Sequence, residues 1–415
     1  MKALLVGDGT GALAAARELE RAGWFVGVAS ERRWGWASLS RRAGRWHQVP
    51  EPSGDLSRFA SALNAAVAEE GYELFLPTSD TALIAVSAIR NDLKADLPYA
   101  PHDRVLQAID KIGLAELAQK CGVPTPRTRL AGEDGGPETG YPVVVKPRLH
   151  WTPGRPAGLP RNESTVARSE AEAKEHIAAI RRAGGAPVLQ DYVPGRLVTY
   201  VVFADEAHCI AAEHFRATLQ ERMSDTGPIA LAESQRVPLP LRAWAERIAA
   251  KLGWVGLMSL QFLETREGRF SLIDLNGRID GEHALTSACG LTGADAWARL
   301  ATGRSFRLPE VSDTGQRYQA IEAEFLRRLA KPGPKRLSTA WDFLRDGFRA
   351  VHPIFQASDP LPTLAYFSRR MSSLLKKAGI QRDESGVQPG CPSSGGDAMS
   401  PISRQPPPLP RVGAR

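Results

Sequence analysis

A chain of 415 residues, 43% of them hydrophobic, has material for two or three separate cores and is too long for one. Its formal charge of +7 comes from arginines scattered along the sequence, which speaks against a nucleic-acid-binding arm and suits anionic small molecules. Four widely spaced cysteines without a C-x-x-C pair argue against a zinc knuckle or a disulfide framework, and no apolar run approaches a membrane span. A cytoplasmic protein with no nucleic-acid or membrane partner is therefore expected.

Residues 2–6 read as a buried strand, Gly7-Asp8-Gly9-Thr10-Gly11 as a tight turn, 12–22 as a helix and Trp24 to Ala29 as a second strand, a β-α-β unit. A strand from Tyr72 to Pro77 ends in Thr78-Ser79-Asp80 before another helix, so residues 1–102 are expected to form a small parallel α/β domain. A helix is expected over 103–122 and is broken by Val123-Pro124-Thr125-Pro126. Short strands at 142–146 and 187–193 flank a loop, 150–161, and an amphipathic helix, 169–183. With the linking helix they make a unit of residues 103–195, and a second α+β unit covers 196–305. Residues 306–382 read as a helical extension broken by prolines, and 383–415, rich in Ser, Gly and Pro, as a disordered tail. The run Pro406 to Arg411 within it has polyproline character.

The densest chemistry lies between Gln261 and Arg278. If Glu267-Gly268 is a two-residue turn, Arg266 faces Arg269, and counting outward puts Gln261 opposite Asp274. Side chains alternate along a strand, so Asp274 and Asn276 share one face while Ile273 and Leu275 take the other. One carboxylate and two amide oxygens then converge, a hard ligand set suited to Mg²⁺ or Mn²⁺ that completes its shell from nucleotide phosphates. Arg278 adds a planar fork of donors. Upstream, Lys146 ends a strand of β-branched residues with its ammonium where a phosphate would need it, and Asp110-Lys111 sits on the linking helix. Loop 150–161, with its Gly, Pro and Arg, could close as a lid. The glycine turn at Gly7, Gly9 and Ala12, with Glu31 downstream, fits a dinucleotide fingerprint, although no hydride-transfer site follows it.

The order of these parts resembles the ATP-grasp superfamily over residues 1 to about 305. Gln190-Asp191-Tyr192-Val193-Pro194-Gly195, Leu252 to Leu257 and Ile273-Asp274-Leu275-Asn276-Gly277-Arg278 are most similar to its carbamoyl-phosphate-synthase-like carboxylate–amine ligases. The resemblance implies an ATP-grasp fold, mixed α/β and α+β, behind an N-terminal Rossmann-like parallel domain. It also implies ATP as cofactor, with Lys111 and Lys146 on its phosphates and Gln190, Asp191, Tyr192 and Val193 around the adenine. Gln261, Asp274 and Asn276 would hold the metal, and Arg278 would steady the transferring phosphoryl group. The implied activity joins a small-molecule carboxylate to an amine through an acyl phosphate, and the helical extension could cap the active site or make a homodimer. Arg216, in a segment continuing through Met223-Ser224-Asp225-Thr226-Gly227, is a substrate- or phosphate-facing candidate, and Glu282 and His283 lie within reach of the acceptor. Asp274 and Val198 depart from the family pattern: Glu is usual at the first, and at the second many members use Glu to hold the ribose. Two other readings stay open, an NAD(P)-dependent oxidoreductase and a non-catalytic ATP-binding protein.

Overall fold

The computed structural model describes residues 1–52, 55–132, 140–151, 164–217, 229–307, 311, 315–321, 323–324 and 347–377. Three sheets organise residues Met1–Phe367, which form one compact unit. Of the second unit, which starts at Ser368, the described residues are helical.

The first sheet is parallel, in the order β3-β2-β1-β4: β1 (Lys2–Val6), β2 (Phe25–Ser30), β3 (Arg45–Gln48) and β4 (Leu74–Pro77). Helices α1 (Thr10–Arg21), α2 (Leu56–Glu70) and α3 (Asp80–Ala88) follow β1, β3 and β4. Leu4, Leu5 and Phe75 are fully buried, as expected of parallel strands covered on both faces. The alanines of α1, Ala12 to Ala16, are short enough to bring its axis close to the sheet.

The expected helix over 103–122 is two helices, α4 (His102–Ile109) and α5 (Lys111–Lys120). Asp110 between them is extended, and its side chain accepts the Ile112 amide at 3.0 Å, so an N-cap interrupts the apolar period. A small antiparallel sheet follows, in the order β5-β8-β6-β7: β5 (Thr128–Leu130), β6 (Val143–Pro147), β7 (Thr165–Ala167) and β8 (Pro187–Asp191). It packs on α6 (Glu170–Arg182), whose N-cap is Ser169, around a core of its own that includes Val143, Val145 and Ile177.

The third sheet has six antiparallel strands in the order β13-β12-β9-β10-β11-β14. They are β9 (Arg196–Ala204), β10 (Ile210–Ala217), β11 (Leu231–Gln235), β12 (Gly256–Glu264), β13 (Phe270–Asn276) and β14 (Arg317–Gln319). Helices α7 (Leu241–Leu252), α8 (His283–Ala288) and α9 (Gly293–Ala301) lie along it, and its apolar core is continuous with that of the parallel sheet.

Within the region read as helical extension, residues 317–319 are a strand that pairs with β11. Residues 325–346 and 378–415, including the polyproline run, lie outside the described residues. A helix, α10 (Pro360–Lys377), does close the described chain. Before it, Asp359 is fully buried and accepts from Arg17 Nε at 2.9 Å and Ser40 Oγ at 2.6 Å, tying this segment back to α1. No helix among the described residues is long and apolar enough to cross a membrane.

Candidate active site

The hairpin β12–β13 pairs Gln261 with Asp274 and Ser259 with Asn276, but its turn is not the expected one. The Thr265 amide donates to the Arg269 carbonyl at 2.9 Å, leaving a loop of Arg266, Glu267 and Gly268, and Glu264 faces Phe270. Continued inward, that register would set Gln261 against Ile273. A β-bulge between Gln261 and Phe262 makes Ile273 the extra residue and restores the Gln261–Asp274 pair. The bulge also turns the Ile273 carbonyl to Lys146 Nζ, 3.1 Å away.

Cross-strand pairing then shows how far the polar face extends. Ser234, Arg216, Thr199, Gln261 and Asp274 stand opposite one another on β11, β10, β9, β12 and β13. A second row on the same face runs His214, Val201, Ser259 and Asn276. The row between them, Phe215, Tyr200, Leu260 and Leu275, points the other way and is at most 2% exposed. Period-two alternation thus gives one face to chemistry and one to the core. At strand spacing Arg216 lies about 14 Å from Asp274 along the row.

At the β13 end the groups are cationic. Lys111, the first residue of α5, forms an ion pair with Asp274. Its amide donates to the Arg148 carbonyl at 3.1 Å, while the Arg148 side chain clasps Asp110 at 2.6 Å, fixing the start of α5 against the end of β6. Lys146 is buried, not emergent: its ammonium donates to Gln190 Oε1 at 2.9 Å, and Gln190 in turn donates to Thr128 Oγ1 at 2.8 Å. Burial alone would raise the Asp274 carboxyl, but Lys111, Lys146 and His150 overcome it and hold the group ionised below its ordinary range. A pocket bounded by Asp80, Lys111, His150 and Asn276, with Ile109 and Leu275 as apolar walls, opens beside this cluster.

At the β10 end an arginine sits among acids. Arg216, 2% exposed, ion-pairs with Asp280, and its Nη1 is 3.5 Å from Glu282. Ser259 Oγ donates to Asp280 at 3.0 Å. Burial and the neighbouring Asp280 charge push the Glu282 carboxyl up, whereas Asp280, though also buried, is held down by Arg216 and His283. Between the two ends Arg278 reaches the first residue of α3, beside the parallel sheet. Its Nε and Nη2 grip Asp80 at 2.6 and 3.2 Å, Nη2 also donates to Asn276 Oδ1 at 3.2 Å, and Nη1 to the Ile279 carbonyl at 3.3 Å. Four of its five N–H groups are thus engaged.

The structure therefore sets Gln261, Asp274, Asn276 and Arg216 on one face of the six-stranded sheet and brings Lys111, Lys146 and Arg278 to its β13 end, with Gln190 on Lys146 and Asp191, Tyr192 and Val193 at the end of β8. The Asp191 amide is spent on the Arg127 carbonyl at 3.0 Å. Val198 is fully buried in the core, and it is its neighbour Thr199 that lies in the polar row. Residues 152–161 of the expected lid and the 223–227 segment lie outside the described residues. Asp80, Ser259 and Asp280 were not singled out from the sequence, although Asp80 sits at the carboxyl end of a parallel strand, where such sheets present functional side chains. The glycine turn serves packing rather than a dinucleotide. Asp8 Oδ1 accepts the Ala37 and Ser38 amides at 2.6 and 2.9 Å, and a Cβ on Gly11 would collide with the Asp280 carbonyl. Gly11→Ala is accordingly expected to lower stability by about 1–3 kcal/mol, measured by denaturant titration.

Residues 110–309 match the family model described as carbamoyl-phosphate synthase L chain, ATP binding domain. The chain is 27% identical over 255 residues to biotin carboxylase 1, chloroplastic, of Populus trichocarpa, covering 55% of this chain and 46% of that protein. It is 27% identical over 229 residues to the 2-oxoglutarate carboxylase small subunit of Hydrogenobacter thermophilus, covering 50% and 46%. The chain thus spans about half the length of these curated relatives. Among solved structures, an N5-carboxyaminoimidazole ribonucleotide synthetase in complex with ADP superposes with a TM-score of 0.60 at 15% identity, over 84% of this chain and 97% of that one. The biotin carboxylase domain of the H. thermophilus 2-oxoglutarate carboxylase, a dimer with MgADP, ADP and bicarbonate, gives 0.59 at 17%, over 74% and 71%. The mixed α/β fold is that of these proteins, and residues 110–309 match an ATP-binding domain of the carbamoyl-phosphate synthase type.

Proposed function

We propose that the protein is an ATP- and Mg²⁺-dependent carboxylate–amine ligase. The observation that carries this reading is the single polar face, with lysines and an ionised aspartate at one end and a buried arginine between two carboxyls at the other. A substrate carboxylate oxygen attacks the γ-phosphorus of ATP and ADP leaves. The amine nitrogen then attacks the acyl carbon, phosphate departs, and the amine loses one proton.

Each residue has a task that its surroundings support. Lys146, held by Gln190 and the Ile273 carbonyl, presents its charge to the phosphates, and Lys111 joins it by exchanging Asp274 for phosphate oxygens. Tyr192 and Val193 offer the adenine edge. Gln261, Asp274 and Asn276 are hard oxygen donors around one ionised carboxylate, a set that fits Mg²⁺, or Mn²⁺ in its place, and would hold it. When bound, that ion neutralises phosphate charge. Arg216 orients the carboxylate. Glu282, its carboxyl raised by burial and by Asp280, is poised to take the amine's proton. Arg278 acts mainly through its field, because Asp80 and Asn276 already occupy most of its donors.

The test is a matrix of carboxylic acids against amines and amino acids, with phosphate release as the readout. The reading predicts at least one pair that stimulates release and yields a C–N product. Tight ATP binding with no turnover across the matrix would contradict it. Unbridged Cys121, Cys209 and Cys289 support a cytoplasmic location. The dimeric state of a neighbouring carboxylase domain supports a homodimer, which light scattering would report as about twice the 45.0 kDa chain mass.

A further inference from the structure

Helix α1 carries two adjacent buried charges that serve different partners. Arg17 holds Asp359, whereas Glu18 turns to the acid end of the site. Glu18 is 2% exposed, and its Oε1 accepts the amides of Ala294 and Asp295, at the start of α9, at 2.8 and 3.0 Å. Its Oε2 lies 2.9 Å from His283 Nε2, a ring that is itself 2% exposed. The carboxylate thus caps one helix and grips the first residue of another.

The consequence lies one residue earlier. Glu282 and His283 have different partners, the first Arg216 on β10 and the second Glu18 on α1. The turn between them is closed by the His283 amide on the Asp280 carbonyl at 3.3 Å and by the Leu285 amide on the Glu282 carbonyl at 2.9 Å. We propose that Glu18 is a positioning residue for the acyl-transfer end of the site: by gripping the His283 ring and the start of α9 at once it fixes the turn 280–283 and keeps Glu282 opposite Arg216. The proposal rests on the reading of Glu282 as proton acceptor. Glu18 lies outside the matched ATP-binding domain, so this role would make the N-terminal domain part of the catalytic apparatus.

Charge supports the geometry. The groups facing the His283 ring are Glu18 from α1, Asp280 from its own turn and Arg216 from β10. Burial pushes the imidazole down, but Glu18 outweighs burial and holds it above the ordinary histidine range. Burial likewise opposes Glu18, yet His283 holds it below the ordinary carboxylate range. Because the folded-state imidazole is raised, its contribution is present at low pH and lost as pH rises through the raised value. Because the carboxyl is lowered, its contribution is lost only as pH falls through the lowered value. The ion pair therefore spans the neutral window.

Glu18→Gln tests this, since the amide oxygen still accepts the two α9 amides while the charge is gone. With the acid–amine pair found by the matrix, the variant should keep its MgATP affinity within about threefold. Its kcat should fall at least tenfold, and the residual rate should drop with rising pH already below the ordinary histidine value of about 6.5, where the wild-type rate shows no such drop. Wild-type kcat with a flat profile in Glu18→Gln would overturn the proposal. Hydrogen exchange of residues 279–285 in the free protein provides a readout that needs no acceptor: it should quicken at least tenfold in the variant while α5 is unchanged, and unchanged exchange would also overturn the proposal. Failure of wild type to turn over any pair would instead strike the ligase reading and leave hydrogen exchange to decide this one.

Discussion

Lys146→Ala and Asp274→Ala are each expected to reduce acceptor-dependent ADP release by at least two to three orders of magnitude, the loss typical when a preorganised charge is removed from a buried transfer site. The two variants should fail differently. Lys146 is buried with its ammonium on Gln190 Oε1 and the Ile273 carbonyl, so truncation takes a donor from both acceptors and removes the proposed phosphate contact. ATP affinity should fall together with kcat. Asp274→Ala frees Lys111 from its ion pair and removes the one ionised oxygen donor of the proposed metal set, Gln261, Asp274 and Asn276. Metal-free ATP should then bind as well as or better than in wild type, while the gain on adding Mg²⁺ disappears. Calorimetric titration of ATP with and without Mg²⁺, beside a coupled assay for ADP, separates the two patterns. Near-normal turnover in both variants would refute the assignment of this face to phosphoryl transfer.

Asp80→Ala is the second large effect. Asp80 and Arg278 form a two-pronged, largely buried pair between α3 and the end of β13, at 2.6 and 3.2 Å. Burial opposes the Asp80 charge, but Arg278 holds the carboxyl far below its usual range, and Asp80 raises the guanidinium in return. Removing one partner of such a pair costs about 3–5 kcal/mol, because the other charge stays buried and uncompensated. Denaturant titration should register that loss. Turnover should fall as well, since Arg278 also donates to Asn276 and its departure loosens a proposed metal ligand. The stability loss should shrink at low pH, where the unfolded chain's carboxylates are protonated and the depressed Asp80 no longer contributes. A stability change below about 1 kcal/mol would show the pair to be solvated and the contact between α3 and the end of β13 weak.

Much of this site was legible in the sequence because it is local. The pairing of Gln261 with Asp274 and the shared face of Asp274 and Asn276 follow from strand alternation alone, and the pairing is the observed one. The two-residue turn that strand counting expects is a three-residue loop, and that loop and the Ile273 bulge shift the register in opposite senses and cancel. The bulge has no marker in sequence, since Ile273 is an ordinary strand residue whose carbonyl matters only once Lys146 faces it. The N-cap at Asp110 was visible as a residue, yet the apolar period runs through it, and the helix was read as continuous. Least legible were the long-range partners. Asp80 is 198 residues from Arg278 and Glu18 is 265 from His283, and only the packing of the parallel domain against the six-stranded sheet brings them together. Strand alternation also puts Val198 in the core and gives the polar row to its neighbour Thr199.

The most direct test is a crystal structure with ATP, or a slowly hydrolysed analogue, and Mg²⁺. It should show a cation about 2.1 Å from an Asp274 oxygen, with Gln261 or Asn276 completing the protein ligands and Lys111 moved from Asp274 to a phosphate. A nucleotide bound with its phosphates away from Lys146 and Asp274, while the Lys111–Asp274 pair stays closed, would contradict the assignment.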